Sequence, residues 1–139
     1  MKATPTTPET SARMARIRQR GTKIETIVAT VLRDLGVRYR KNVKKLPGSP
    51  DFANNTRRWA IFVNGCFWHH HAGCWKATVP KSNRKFWITK FHDNQRRDAR
   101  NVARLRREGY RVIIIWECQE GRIRNKLAKV LESRGVDSG

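Results

Sequence analysis

The chain has 139 residues, of which 38% are hydrophobic and 30% charged, so it can form the core of one domain and is too short for two ordinary ones. Its 31 Lys and Arg against 11 Asp and Glu give a formal net charge of +20. That excess predicts a polyanionic partner, nucleic acid above all. The longest apolar runs are far shorter than the ~20 residues of a membrane-spanning helix. Because no apolar signal segment follows Met1, we expect a cytoplasmic protein.

The first 36 residues divide into an arm and a helix. Residues 1–21 are polar, turn basic and offer few side chains to a core, so we predict a flexible basic N-terminal arm. Residues 22–139 should form the folded domain. Its first helix should begin with Thr22 as N-cap and Glu25 as capping-box partner, and end at Gly36. Apolar residues recur at helical spacing between these points.

Three short strands should follow the first helix, at 37–43, 51–53 and 59–63. The first alternates hydrophobic with basic residues, which is typical of a half-exposed strand. A Pro-Gly turn ends it and an Asn-Asn-Thr turn joins the other two. This order favours a meander.

The rest of the chain predicts a loop and three further elements. Residues 65–85 have no apolar period and should form an elaborated loop. A long helix over 83–108, an apolar strand over 110–116 and a last helix over 122–133 should follow. A continuous apolar run is expected where both faces of a strand are covered. The sequence therefore predicts an α/β domain with helices on both sides of a mixed sheet.

The loop holds most of the metal-binding side chains. Cys66, Cys74 and the three histidines 69–71 lie within nine residues, and Cys118 follows the apolar strand. Three cysteines in a reducing compartment favour ligands over disulfides. Since Zn²⁺ prefers thiolates and imidazoles in a tetrahedron, we predict one structural zinc site that ties the loop to the sheet. On spacing alone any of the three histidines could be the fourth ligand. The alternative is that the cysteines are inert core residues and the histidines are solvated.

A second candidate site begins at Asp51. Pro50-Asp51 follows a glycine turn and precedes a strand pair, an arrangement in which nucleases hold a carboxylate at a divalent metal beside a phosphate. By itself, a Pro-Asp pair more often serves only to form a turn and has no catalytic role. Here it is followed, about a dozen residues later in the sequence, by a strand that ends in Asn64 and by the histidine-rich loop. A carboxylate, an imidazole and a basic chain together favour metal-assisted phosphodiester hydrolysis.

Aromatic and basic side chains crowd the same region. The aromatic residues are Phe67, Trp68, Trp75, Phe86 and Trp87. Aromatic rings in a segment without a period are poor core candidates, whereas they can enter a base stack; the alternative is packing around the zinc loop. Residues 81–111 also carry eleven Lys or Arg, Arg96 and Arg97 among them, against three acids. This excess predicts phosphate contacts.

Four motifs together carry a family signature. They are LPGSPD at 46–51, FVNGCFWH at 62–69, FW at 86–87 and WEC at 116–118. From residue 14 to about 121, the chain closely resembles the very-short-patch-repair (Vsr) DNA mismatch endonucleases. The resemblance implies a restriction-endonuclease-like core with a structural zinc. It also implies an enzyme that nicks duplex DNA 5′ to the T of a T:G mismatch left by deamination of 5-methylcytosine.

The resemblance also implies roles for individual residues. Asp51 would bind a catalytic Mg²⁺ together with the Val63 carbonyl. His69 would be the catalytic imidazole, Asp98 its orienting carboxylate and Glu25 a further active-site acid. The implied zinc ligands are Cys66, His71, Cys74 and Cys118. The implied base-stack wedge is Met14, Phe67 and Trp68, with Trp87 as a further family aromatic.

Two departures from the family pattern leave alternatives open. Some members have Thr-His where this chain has Val63-Asn64, and since an amide cannot relay a proton, Asn64 could at most orient water or phosphate. The spacing before Cys74 also differs from some members, which leaves His71 as the favoured zinc ligand over His70. The competing hypotheses are a zinc-stabilised DNA-binding module without catalysis and a restriction-type nuclease without mismatch specificity.

The expected partner is double-stranded DNA with a T:G mismatch, and mismatch-repair proteins are further candidates. We expect a monomer that acts at the nucleoid of a bacterial cytoplasm.

Overall fold

The computed structural model describes residues 23–67 and 69–132. In chain order the elements are helix α1 (Lys23–Asp34), strands β1 (Arg40–Lys41), β2 (Phe52–Asn54) and β3 (Trp59–Asn64), helix α2 (Arg84–Arg107), strand β4 (Arg111–Trp116), a 3₁₀ segment (Glu117–Arg122) and helix α3 (Ile123–Glu132). The predicted arm with Met14, the N-cap Thr22 and Trp68 lie outside the described residues. No helix in the described ranges is long and apolar enough to cross a membrane.

The four strands form one mixed sheet in the order β1-β2-β3-β4. The first two pairs are antiparallel and the β3–β4 pair is parallel, so the predicted meander is confirmed and α2 is the crossover that the parallel pair requires. In the parallel register Val63 pairs with Ile115 and Asn64 with Trp116. The carboxyl ends of β3 and β4 therefore meet at one edge of the sheet.

Helices cover both faces of the sheet, as predicted. Helices α1 and α3 pack on one face, where the main core includes Val28, Ile61 and Leu127. On the other face, Leu105 of α2 packs with Ala60 of β3 in a smaller core. Burial of these side chains, at roughly 25 cal/mol per Å² of apolar surface, is what holds the layers together.

Two strands differ from the sequence prediction. Of the predicted strand 37–43 only Arg40 and Lys41 are paired, and both are exposed. Val37 and Tyr39 pack against the main core without forming a ladder, which explains the apolar alternation. Strand β4 was expected to be covered on both faces, but only alternate residues are buried. The reason is that Leu105 is the one buried α2 residue that packs on the sheet.

The expectation that the loop aromatics are poor core candidates is wrong for Phe67 and Trp87. They are 5% and 6% exposed and form a third core with Phe91. The Phe67 and Phe91 rings meet edge to face, with centroids 5.3 Å apart, a favourable aromatic geometry. The first turns of α2 extend over the loop. These rings therefore pack around the loop, which was the alternative to a role in base stacking. Trp75, by contrast, is 80% exposed.

Candidate active site and metal centre

A cavity of about 330 Å³ opens beside the carboxyl end of β3. It is lined by the turn before β2, by the end of β3 with the loop that follows, and by one face of α2. The polar and charged lining includes Asp51, Asn64, His69, Arg97 and Asp98. The sheet edge, the loop and the helix thus bring together groups that are far apart in sequence.

The turn before β2 fixes Asp51 in this cavity. The side chain is only 8% exposed, and its Oδ2 accepts a hydrogen bond of 2.6 Å from the Val63 N–H. Gly48, with φ of +77°, passes so close to α2 that a Cβ would lie 3.1 Å from the Asn101 side chain. Only glycine combines that backbone conformation with that close approach. The turn therefore holds a carboxylate in a fixed place, against the end of β3.

His69 and Asp98 form a hydrogen-bonded pair across the cavity. The His69 Nδ1 lies 2.7 Å from the Asp98 Oδ2, and the two side chains are 30% and 33% exposed. A carboxylate at Nδ1 orients the ring, which leaves Nε2 to exchange a proton with a substrate. Asn64 ends β3 in the same cavity and is 7% exposed. Its amide can orient a ligand but cannot relay a proton.

Four metal-binding side chains converge next to this cavity: Cys66, His71, Cys74 and Cys118. Their ligand atoms all lie within 4.8 Å of one another. The His71 Nδ1 is 3.4 Å from the Cys118 Sγ and 3.7 Å from the Cys66 Sγ. In tetrahedral zinc sites a bond of about 2.3 Å to sulfur and about 2.0 Å to nitrogen places such atoms about 3.5 Å apart. These four residues could therefore hold one tetrahedral metal ion.

His70 lies outside this cluster. Its ring stacks on Phe91, with centroids 4.4 Å apart and planes 7° from parallel. Burial lowers the pKa of His70, which favours the neutral ring in this apolar contact. Of the histidines that spacing left open as metal ligands, the structure places His71 with the three cysteines.

The surroundings of the cluster shift the pKa values of two of its cysteine thiols and fix the loop that carries them. Burial raises the pKa of the Cys66 thiol to about 12, whereas a hydrogen bond from the Lys76 backbone N–H lowers the pKa of Cys74. Because metal ligands must be deprotonated, a bound cation has to displace the Cys66 proton, and metal affinity falls as the pH falls. The Glu117 Oε1 accepts a 3.2 Å hydrogen bond from the Cys66 N–H, which fixes the loop to the 3₁₀ segment after β4.

Sequence reasoning gave no role to two residues of this region, although one of them, Trp116, belongs to the WEC motif. Trp116 contacts a histidine of the cavity and a histidine of the cluster: the His71 ring stacks on it at 3.9 Å and the His69 ring meets it edge-on at 6.4 Å. Asn101 lines the cavity and follows Asp98 by three positions. That spacing, which places two residues on one helix face, is a signal that could have found it.

Comparison with known proteins gives the family. A sequence model of the family described as "DNA mismatch endonuclease Vsr" matches residues 4–76. The chain is 43% identical over 108 residues to the DNA mismatch endonuclease Vsr of Escherichia coli, covering 78% of this chain and 69% of that protein. The chain belongs to the Vsr family. It is also 40% identical over 121 residues to a type II nicking enzyme, V.XorIIP, of Xanthomonas oryzae pv. oryzae, covering 82% of this chain and 88% of that protein.

Membership of the Vsr family makes the chain an endonuclease, and therefore a hydrolase. It argues against the hypothesis of a module without catalysis. A further relative, the type II nicking enzyme V.NmeAIP of Neisseria meningitidis, is 40% identical over 114 residues, which cover 82% of this chain and 81% of that protein.

All but one of the residues predicted to have catalytic roles line the cavity. Asp51, Val63, Asn64, His69 and Asp98 are in the lining. Glu25 is buried on α1, 6% exposed, and is not among the described residues that line the cavity, so its catalytic role stays a prediction.

The predicted DNA-binding residues are more dispersed. Arg97 lines the cavity, whereas Arg96 is exposed, 3.5 Å from the Asp93 carboxylate. Phe67 and Trp87 are in the buried aromatic core. Met14 and Trp68 lie outside the described residues.

We expect His69→Ala and Asp98→Asn to lower the rate of phosphodiester cleavage by about 10²- to 10⁴-fold, the usual contribution of general acid–base catalysis. The reason is that either change removes the proton carrier or the group that orients it. The measurement is single-turnover cleavage of duplex DNA at several pH values. The matched control is Asp93→Asn, which neutralises an exposed carboxylate on the same helix. This variant should cleave like the unmutated protein. Full activity of His69→Ala at every pH would assign the proton transfer to another group.

Proposed function

We propose that the protein nicks one strand of duplex DNA 5′ to the T of a T:G mismatch that arises from 5-methylcytosine deamination, by Mg²⁺-dependent hydrolysis. The observation that carries the proposal is the convergence of Asp51 with the His69–Asp98 pair in one cavity. The names of the relatives support it, since one is a DNA mismatch endonuclease and others are nicking enzymes. We further propose that the mixed sheet is a restriction-endonuclease-like core.

The lining of the cavity suits a catalytic magnesium ion. Asp51 and the Val63 carbonyl would hold it, since carboxylate and carbonyl oxygens are ligands that Mg²⁺ prefers. When bound, such an ion polarises the phosphodiester and favours hydroxide at neutral pH. His69, oriented by Asp98, would carry the proton. Asn64 would orient water or a phosphate oxygen, so His69 is the one imidazole among the described residues of the lining.

The second metal would be a structural Zn²⁺ held by Cys66, His71, Cys74 and Cys118. Four protein ligands complete a tetrahedron and leave no position for substrate, which is the pattern of structural rather than catalytic zinc. The ion would join the loop that carries His69 to the chain beyond β4. Its chemical task is therefore to keep His69 in place.

Recognition of the DNA would combine phosphate contacts with a wedge. The net charge of +20 and the exposed side chains of Arg96 and Arg97 supply phosphate contacts that attract any duplex. We propose that Met14 and Trp68 enter the base stack at the mismatch, where unstacking costs least. Contacts of Phe67 or Trp87 with bases would require the buried aromatic core to open on the DNA.

The same proposal covers partners and location. The protein would act as a monomer on chromosomal DNA at the nucleoid of a bacterial cytoplasm, with mismatch-repair proteins as candidate partners. A restriction-type nuclease without mismatch specificity is the competing function.

Replacing the proposed wedge tests the recognition mechanism. We expect Trp68→Ala to lose most of its preference for T:G over T:A duplexes, while salt-dependent binding to both persists because the Lys and Arg side chains are unchanged. Competitive nicking of the two duplexes measures the preference. Trp75→Ala, a change at an exposed tryptophan of the same loop, should keep it. An unchanged preference in Trp68→Ala would exclude this residue from the wedge.

A further inference from the structure

The segment between α1 and β2 has a high density of positive charge. Residues 38–45 contain five basic side chains and no acidic one, and all five are exposed: Arg38, Arg40, Lys41, Lys44 and Lys45. Charged residues on an edge strand can prevent edge-to-edge association. However, β1 has only two residues, so most of these cations lie outside any strand. Edge protection does not account for them.

Several cations elsewhere on the described surface have carboxylate partners. Arg124 lies 2.7 Å from Asp34, Lys23 lies 3.3 Å from Glu120, and other such pairs occur on α2 and beside the cysteine–histidine cluster. Within residues 23–67 and 69–132, no ion pair involves any of the five cations of the 38–45 segment. Adjacent like charges without counter-charges repel one another, and a polyanion would relieve that repulsion.

The 38–45 segment is fixed next to the catalytic cavity. The Asn42 N–H donates to the Asp51 carbonyl at 2.9 Å, and the Val43 N–H donates to the Pro50 carbonyl at 3.0 Å. Its last residue, Lys45, precedes the cavity-lining Gly48 by three positions, a chain distance of at most about 11 Å. Because one strand of B-DNA carries a phosphate every ~3.4 Å along the axis, this distance corresponds to only a few phosphates.

We propose that the 38–45 segment is a second phosphate-binding surface of the endonuclease, in addition to the basic helix α2. It binds the backbone of duplex DNA within a few phosphates of the cleaved bond and holds that strand across Asp51. The inference rests on the proposed function, because it takes duplex DNA as the substrate. Such contacts carry no base information, so the segment contributes equally to paired and mispaired duplexes.

The salt dependence of binding tests this surface. The double variants Lys44→Gln/Lys45→Gln and Arg40→Gln/Lys41→Gln are compared with Arg122→Gln/Lys129→Gln, which removes two exposed cations from the 3₁₀ segment and α3. Affinity for short synthetic T:G and T:A duplexes is measured between about 50 and 200 mM salt. Each lost phosphate contact should reduce the slope of log K against log salt by about 0.9. We expect a reduction of about 1.8 in either test variant if both cations make a contact, and none in the control.

Several outcomes distinguish this proposal from its alternatives. Slopes equal to that of the unmutated protein in both test variants would overturn it, and so would an equal reduction in the control, which would indicate a general charge effect. Thermal unfolding of each variant should be unchanged, since the side chains are exposed, and higher protein concentration should restore cleavage. Failure of the proposed function is separate: unmutated protein that binds both duplexes with this salt dependence but nicks neither would refute the activity and leave the phosphate contacts standing.

Discussion

Asp51→Asn is expected to abolish nicking while duplex affinity stays equal or rises. The substitution keeps the shape of the side chain and its capacity to accept the Val63 N–H, but it removes the charge that would hold Mg²⁺. A loss of at least about 10³-fold corresponds to roughly 4 kcal/mol of transition-state stabilisation. Affinity should not fall, because a negative charge near phosphate has been removed. Single-turnover nicking and equilibrium binding on the same T:G duplex measure the two effects.

The control for this variant is Asp34→Asn, which neutralises an exposed carboxylate that pairs with Arg124 at 2.7 Å, away from the cavity. It should nick at the unmutated rate. If Asp51→Asn nicks as fast as this control, Asp51 is not the metal-binding carboxylate, whatever the affinity.

Loss of one cluster thiolate is expected to unfold the protein. Structural zinc contributes an apparent binding free energy of about 10–16 kcal/mol, which is comparable to the whole stability of a domain, about 5–15 kcal/mol. Cys66→Ser, which also leaves a hydroxyl in a fully buried position, and Cys118→Ser should therefore be insoluble or molten. The unmutated protein should contain about one Zn²⁺ per chain by elemental analysis.

A chelator provides the same test without substitution. Its addition to unmutated protein should release the zinc and cause unfolding, visible as loss of near-ultraviolet circular dichroism. Trp75→Ser, at the exposed position after Cys74, should keep both metal and fold. Folded, active and metal-free protein would contradict a structural zinc.

The helices could be predicted closely from the sequence, and the first strand could not. Helix α2 was expected over 83–108 and spans Arg84–Arg107, because glycine and apolar spacing are local signals. The alternation at 37–43 also predicts a strand. In the structure, however, Val37 and Tyr39 bury their side chains against the core without pairing in a sheet. Whether such a segment joins a ladder depends on a partner, and β2 offers only three residues.

The candidate site could likewise be predicted only in part. The resemblance to the Vsr family placed Asp51, His69 and the cluster residues, whereas composition and spacing left the histidine ligand open. The burial of Phe67 could not be predicted from a loop without a period, because it depends on how far α2 extends over that loop. The contacts of Trp116 with His69 and His71 depend on the β3–β4 register, which is a property of the tertiary fold.

Mismatch-directed nicking by the unmutated protein can be measured in one assay. Two duplexes that differ only in a T:G or a T:A pair, each labelled on both strands, are incubated with the protein in Mg²⁺ or in excess chelator. We expect one nick, 5′ to the T of the T:G pair, in Mg²⁺ alone, with the other strand intact. Equal cleavage of the paired and mispaired duplexes would contradict this expectation and establish the restriction-type function instead.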